Sequence, residues 1–434
     1  MKHTLLIIAA SMAGILSANA QTARQDVAAQ FARSASNHYA YPAPTRALTP
    51  APEGYEAFYI SHYGRHGSRW LSSEGAYTRP VAQLEHANRE GMLTEQGKHL
   101  LYILRDVAAA AHDRAGDLSD IGAQQHRDIA TRMFNNFPSV FGGKAVVTAR
   151  SSMKIRCILS MQNETMTLRA LNPDIRITTD ASASDMGRLA YGYGEDTLAN
   201  KLRARMNLIT DSMYRHNIKP QRFVDQLIDN APSLEWLDGL QLMRDVFDIA
   251  GNMQSHHRFS DIDLFHLFTV NEIFELWRIK NACWYTQFGN APHNGNRMPF
   301  TKRNLLREMI DSTDVAIANG QRGANLRFGH ESILLPLASL MELDTLNYSC
   351  DDLNQLHLHW QDYNIIPKAC NIQMVFYRPV GQSKAKADDI FVKVLFNEHE
   401  AMLPVGTDMF PYYSWAQLRQ YYLEKINTDI NWDD

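Results

Sequence analysis

Apolar and polar positions follow two rhythms along this chain. From Thr94 onward, Leu100, Leu104 and Val107 recur at steps of four and three, and Ile103 widens the stripe; this spacing predicts an amphipathic helix. Ser119 followed by Asp120 predicts the start of a second helix, with a hydroxyl cap and an acid in the first turn. A third helix is predicted from Ser151 or Ser152 to about residue 170. Short runs of β-formers at 55–60, 145–149, 325–329, 372–377 and 390–396 predict strands. The last includes Phe391-Val392-Lys393-Val394-Leu395-Phe396, a nearly continuous apolar run that suits a strand covered on both faces. Residues 183–300 read differently, as mostly helical and rich in Met, Trp and His. Strands on both sides of a long helical block predict an α/β fold. The expected architecture is a central, mostly parallel sheet flanked by helices, built from residues 21–182 and 301–434, with an inserted, mainly helical cap domain at 183–300. Residues 21–50 carry a weak pattern and read as a lead-in over the surface.

The first twenty residues do not belong to this pattern. Lys2 and His3 precede an apolar run from Leu5 to Leu16, which ends in Ala18-Asn19-Ala20. That order predicts a signal peptide cleaved near Ala20, and hence a periplasmic or secreted protein. The run is shorter than the roughly 20 residues that a membrane span needs. The 434-residue chain is 45% hydrophobic and 21% charged, with a net charge of −4, which is an ordinary globular composition. A slightly acidic chain argues against a nucleic-acid partner. Four Cys are too few for a disulfide scaffold. Cys350 and Cys370 are near enough in sequence to pair, whereas Cys157 and Cys283 read as buried thiols. Neither a Walker A loop nor a G-x-G-x-x-G fingerprint is present. His330-Glu331-Ser332-Ile333-Leu334 lacks the second His of a zinc-protease helix, and no other metal-ligand pattern stands out, so neither metal nor cofactor is expected.

The chemistry concentrates in Arg65-His66-Gly67-Ser68-Arg69, just after the first predicted strand. Ligands of open α/β sheets bind at such strand ends. Arg offers a planar donor fork that matches phosphate oxygens, and Gly67 lets the backbone approach closely. A His among phosphate-binding guanidinium groups is placed to attack phosphorus and carry it as a phosphohistidine. The nearby positive charges favour its neutral form. Taken alone, the run also fits a surface turn with a solvated His.

The same run resembles the R-H-G-x-R signature of the histidine phosphatase superfamily, in its acid phosphatase and phytase branch. Leu93-Thr94-Glu95-Gln96-Gly97 and Leu118-Ser119-Asp120-Ile121-Gly122 resemble the L-T-x-x-G that opens the family's next helix. Arg150-Ser151-Ser152 through Arg156 and Ser160 resembles the strand-to-helix segment that carries a third phosphate-binding Arg, a role the resemblance gives to Arg156. Phe328-Gly329-His330-Glu331 resembles the family's distal histidine–acid pair. Within the superfamily, the phrases at 122–127, 326–337 and 392–398 are similar to those of the multiple inositol polyphosphate phosphatases. Two features depart from the pattern. The acid follows His330 directly, where that group has His-Ala-Glu, and Trp70-Leu71 replaces the Pro that usually follows the signature.

The resemblance implies hydrolysis of phytate and other inositol polyphosphates without a cofactor. His66 would be the nucleophile, and Arg65, Arg69, Arg156 and His330 would hold the phosphate. An inositol alkoxide is a poor leaving group, so a carboxylic acid must protonate it, and Glu331 is the candidate. Partial burial and the substrate's charge are expected to raise its pKa and keep it protonated. An acid at that position also fits a plain helix N-terminus. A polyphosphate needs further cations. Lys154, Arg188, Lys201, Arg203, Arg205, Arg297, Lys302 and Arg303 are candidates, with Arg188 the preferred specificity residue. The alternatives are a broad-specificity acid phosphatase, a phosphosugar phosphatase, or a catalytically inactive protein that binds a phosphorylated ligand.

Overall fold

The computed structural model describes residues 22–192, 197–230 and 234–432. The predicted signal peptide lies outside the described residues, as do the side chains of Lys201 and Arg203. The main elements in chain order are α1 (Thr22–Ala29), β1 (Tyr55–Arg65), α2 (Gly75–Arg89), α3 (Glu95–Ala111), α4 (Asp120–Asn136), β2 (Val146–Ser151), α5 (Ile155–Leu171) and β3 (Arg176–Asp180). Then come α6 (Thr197–Asn217), α7 (Gly239–Asn252), α8 (Val270–Phe288), α9 (Arg303–Ala318), β4 (Gly323–Gly329), α10 (Glu331–Leu340), β5 (Asn371–Pro379), β6 (Phe391–Phe396), β7 (His399–Glu400), β8 (Tyr413–Ser414) and α11 (Trp415–Ile426). Among the described residues, no helix is long and apolar enough to cross a membrane.

The sheet runs β3-β2-β4-β1-β5-β6-β7, with β8 also paired to β6. Its first four strands are parallel, and β5 and β6 extend it antiparallel. The α/β architecture expected from the alternating strands and helices is the one observed. Period-two alternation sends successive side chains of β5 and β6 to opposite faces. Ile372, Met374, Phe376, Val392 and Val394 join a core with α9, α10 and α11, while Val375, Tyr377 and Leu395 join a core with α4 and α5. The sheet is therefore covered on both sides. A third apolar core lies among helices. It takes Tyr77 and Leu84 from α2, Leu100, Leu104 and Val107 from α3, Val246 and Phe247 from α7, and Ile273 and Trp277 from α8.

The helix starts follow local chemistry. Thr94 Oγ1 accepts a hydrogen bond from Gly97 N at 3.0 Å, and Ser119 Oγ accepts one from Gly122 N at 3.1 Å; each satisfies a first-turn donor. All four cysteines are free thiols, so Cys350 and Cys370 are not bonded to each other. The segment 21–50 departs from its expectation as a surface lead-in. Its helical turn Phe31–His38 buries Ser34, Ala35, Ser36 and Asn37. The short side chains of Ala35 and Ser36 allow it to pack closely; Ala35 lies where a side chain on Gly251 of α7 would collide.

Candidate active site

Three neighbouring parallel strands, β2, β4 and β1, end at one edge of the sheet. The register pairs Arg65 with Gly329, and Ser151 with Phe328. Their carboxyl ends deliver three segments to one place: Arg65–Arg69, Ser152–Arg156 and His330–Glu331. Residues from three distant stretches of sequence thus converge at the edge where α/β folds bind ligands.

The loop after β1 is held from outside. A Cβ on Gly67 would lie 2.3 Å from Gly122 O, and one on Gly122 would lie 2.1 Å from Ser68 O, so the two backbones touch with no room for a side chain. Ser119 N donates to Ser68 O at 2.9 Å, and Ser68 N donates to Gln125 Oε1 at 2.8 Å. The start of α4 therefore serves as the seat of the loop.

His66 is 1% exposed. Its Nδ1 lies 2.9 Å from Gly67 O. A carbonyl only accepts, so this contact places the proton on Nδ1 and leaves the Nε2 lone pair without a partner. Burial first, then the charges of Arg156, Arg65, Lys368 and Arg69, hold the ring well below the ordinary histidine pKa. The neutral form expected from the flanking guanidinium groups is thus favoured, with desolvation the larger cause. The His330 ring stands 5.6 Å from the His66 ring, centroid to centroid, and its Nε2 lies 3.2 Å from Ser152 Oγ. Burial and Arg156 depress its pKa to about 3.

Glu331 opens α10, behind His330 at the cap position. Its Oε1 accepts from Arg65 Nη2 at 2.8 Å and from Asn37 Nδ2 at 2.9 Å, and its Oε2 lies 3.8 Å from His66 Nε2. Here the structure corrects the expected protonation. Burial does push the carboxyl up, but the charges of Arg65, Lys368 and Arg69 outweigh it and hold Glu331 well below the usual carboxylate range. In the protein alone it is ionised.

Arg65 is fully buried. Its Nη1 donates to Asn37 O, Ile366 O and Pro367 O at 2.7, 2.8 and 3.1 Å, so half of the fork is spent on backbone carbonyls. The Nε atoms of Arg65, Arg69 and Arg156, the Nε2 of His66 and the Nζ of Lys368 are all buried without a hydrogen-bond partner. Four of these, the three Arg Nε and the Lys368 Nζ, are unsatisfied donors, and so many in one spot is abnormal for a protein interior and marks a place built for an anion. Burial lowers the Arg69 pKa to about 10, still leaving it cationic at neutral pH.

A cavity of about 660 Å³ opens above these residues, within the size range of small-molecule sites. Arg69, Lys154, Arg156, His330 and Glu331 line one side; Tyr191, Asn207, Trp284, Gln287 and Phe288 line the other. The far wall thus comes from the helical stretch 183–300. Arg188 is not brought to the cavity lining. Its Nη2 pairs with Asp185 at 2.5 Å, and it borders a separate hollow with Arg150 and Arg307. Of the other candidate cations, Lys154 is at the cavity, whereas Arg205, Arg297, Lys302 and Arg303 are not among its lining residues.

His66, His330 and Glu331 offer ligand atoms within 4.8 Å of one another, the one buried cluster of metal-ligating type among the described residues. Glu331 is already engaged by Arg65 and Asn37, and Arg69 and Arg156 add positive charge. That field opposes a cation and favours an anion.

Sequence reasoning missed Asn37, His38 and Lys368. Asn37 and His38 lie in a segment with no pattern to mark them. Lys368 carried a signal, a lone charge in the apolar run Ile365-Ile366-Pro367-Lys368-Ala369-Cys370.

No protein-family model matches the sequence, and a search of curated proteins found no match. Solved structures do match in fold. The chain is similar to Bifidobacterium longum multiple inositol polyphosphate phosphatase in complex with inositol hexasulfate, with a TM-score of 0.73 at 17% identity over 90% of this chain and 97% of that one. It is similar to the phytase of D. castellii, with a TM-score of 0.64 at 12% identity over 91% and 85% of the two chains. The Hafnia alvei phytase in complex with myo-inositol hexakis sulphate gives a TM-score of 0.52 at 9% identity over 86% and 98%. The fold is the one that the sequence resemblance implied.

Proposed function

We propose that this protein is an exported phosphomonoesterase that hydrolyses phytate and other inositol polyphosphates through a phosphohistidine on His66. The observation that carries this reading is the group of buried, unpartnered donors around an open imidazole nitrogen. Arg65, Arg69, Arg156 and His330 hold the transferring phosphoryl group, and no cofactor takes part. The helical stretch 183–300 acts as the cap whose wall closes the cavity over the substrate.

The proposed reaction is two displacements at phosphorus. His66 Nε2 forms a bond to phosphorus as the ester P–O bond breaks. The leaving alkoxide takes the proton of the Glu331 carboxyl group. Water then attacks phosphorus, the N–P bond breaks, and the Glu331 carboxylate takes the water's proton, which restores both groups. Glu331 is ionised before substrate arrives, so it takes up a proton when the substrate binds. A phosphate that draws Arg65 and Arg69 toward itself removes the charges that hold Glu331 ionised, and its own negative charge raises the carboxyl pKa.

A second reading is a phosphatase of broader specificity. It is favoured by the far wall, where Tyr191, Trp284 and Phe288 offer aromatic surface rather than charge. The deciding experiment measures phosphate release from phytate and from an aryl phosphate, with and without a chelator. Faster, chelator-insensitive release from phytate supports the first reading. Release from the aryl phosphate alone supports the second. No release from either substrate removes the catalytic reading and leaves a phospho-ligand binding protein.

A further inference from the structure

Lys368 is given no part in phosphoryl transfer in the account above, yet it is among the most unusual residues of the molecule. Its side chain is 0% exposed, and its Nζ has no hydrogen-bond partner. An ammonium group buried without a partner is costly, and buried Lys side chains are normally paired with an acid. Here the surroundings are mostly of the same sign. Arg65 at the end of β1, Arg69 in the loop after it and Arg156 from α5 all repel it, while Glu331 attracts it. It in turn acts on His66, on His38 of the turn Phe31–His38, on His256 and on the Cys370 thiol. These groups surround the place where the unpartnered donors converge.

The backbone fixes the residue there. Lys368 N donates to Tyr39 O at 2.8 Å, and Ala369 N donates to His66 O at 3.1 Å. Ala369 adopts a φ of 57°, a left-handed conformation that a residue with a Cβ adopts only at a cost. The chain thus bends beside the proposed nucleophile, with Lys368 at the bend.

We propose that Lys368 is a further anion-binding residue of this site, an ammonium group that meets the phosphoryl oxygens from beneath the cavity floor. The inference rests on the phosphate-site reading above and extends it. A fourth cation that close to three Arg is unfavourable without an anion and favourable with one. Burial and the neighbouring guanidinium charges hold the Lys368 pKa well below the ordinary lysine value. Anion binding therefore draws a proton onto Nζ, and the affinity of the site for phosphate depends on that uptake.

The test uses the full mature chain and inorganic phosphate as the probe. Calorimetric titrations near pH 7 in two buffers of different ionisation enthalpy give both the affinity and the protons taken up. Lys368→Met keeps the length and removes the charge. It is expected to weaken phosphate binding by about tenfold or more and to lower the proton uptake that accompanies it. Affinity within about twofold of the parent, with uptake unchanged, would overturn the proposal. Should Lys368→Met fail to fold, Glu331→Gln decides. Uptake that persists without the Glu331 carboxyl group supports Lys368, and uptake that vanishes with it assigns the proton to Glu331 and overturns the inference. Failure of the catalytic reading looks different: phosphate binds the parent protein tightly, but no phosphomonoester is turned over.

Discussion

His66 has one ring nitrogen committed and the other open, and the proposed reaction depends on that asymmetry. Nδ1–H is held by Gly67 O at 2.9 Å, so the lone pair is on Nε2, 3.8 Å from Glu331 Oε2. Replacing His66 with Ala removes the atom that takes the phosphoryl group. Turnover should fall by at least about 10³-fold, while inorganic phosphate binding survives within about tenfold; steady-state assays and titration measure the two separately. Glu331→Gln keeps the shape and removes the transferable proton. Its effect should follow the leaving group: a loss of about 10² to 10⁴-fold on an inositol phosphate, and less than about tenfold on a nitrophenyl phosphate, which departs without a proton. Equal losses on both substrates would mean that the carboxylate serves mainly to hold Arg65. These roles were partly legible in the sequence because Arg65, His66 and Arg69 stand together in one turn. Asn37 was not, because its partner Glu331 lies far along the chain and no local spacing links them; Lys368 showed only as a lone charge in an apolar run, which does not say what it faces.

At the scale of elements, the signature loop owes its shape to α4. The contact between Gly67 and Gly122 leaves no space for a Cβ on either residue. Gly122→Ala would place a methyl group 2.1 Å from Ser68 O and push the loop off its seat. The expected result is a folded protein destabilised by about 1–3 kcal/mol. Its turnover should fall further than its thermal midpoint suggests; circular dichroism and phosphate release check the two halves. Unchanged turnover would show that the loop is held by other means. The helix starts at Thr94 and Ser119 were legible because capping chemistry is local. The third helix starts later than expected, at Ile155, because Ser152 is drawn into the site beside His330. Strand β3 went unpredicted. Its residues Arg176-Ile177-Thr178-Thr179-Asp180 form an edge strand, mostly exposed, without an apolar face to betray it. Strand β1 continues through His62-Tyr63-Gly64-Arg65, where buried polar side chains hide the strand pattern.

Across the whole molecule, the sheet is covered on both faces, and residues from its strand ends and from the helices of 183–300 line one cavity. Such burial has a pH signature. His62, His66 and His330 are buried and neutral, with pKa values depressed to about 3 for His62 and His330. The unfolded chain binds protons at these positions below about pH 6.5, and the folded chain does not. Stability therefore falls as pH drops from about 6.5 toward 3, by about 1.4 kcal/mol per pH unit for each such histidine. Glu331 acts in the same sense in a lower window: its depressed pKa contributes stability that is present above the ordinary carboxylate range and is lost as pH falls through that range toward the lowered value. Urea midpoints should drop between pH 7 and pH 5, and His62→Phe, on the strand behind the site, should flatten that slope; a midpoint independent of pH would contradict the buried neutral histidines. The central claim is covalent chemistry at His66. The most direct measurement is to mix mature protein with phytate in the presence of chelator, quench in alkali, which preserves phosphohistidine, and map the phosphorylated residue by mass spectrometry. The account predicts a phosphoryl group on the peptide containing His66, absent in His66→Ala. Phosphate release at full rate with no phosphoryl group on that peptide would contradict it.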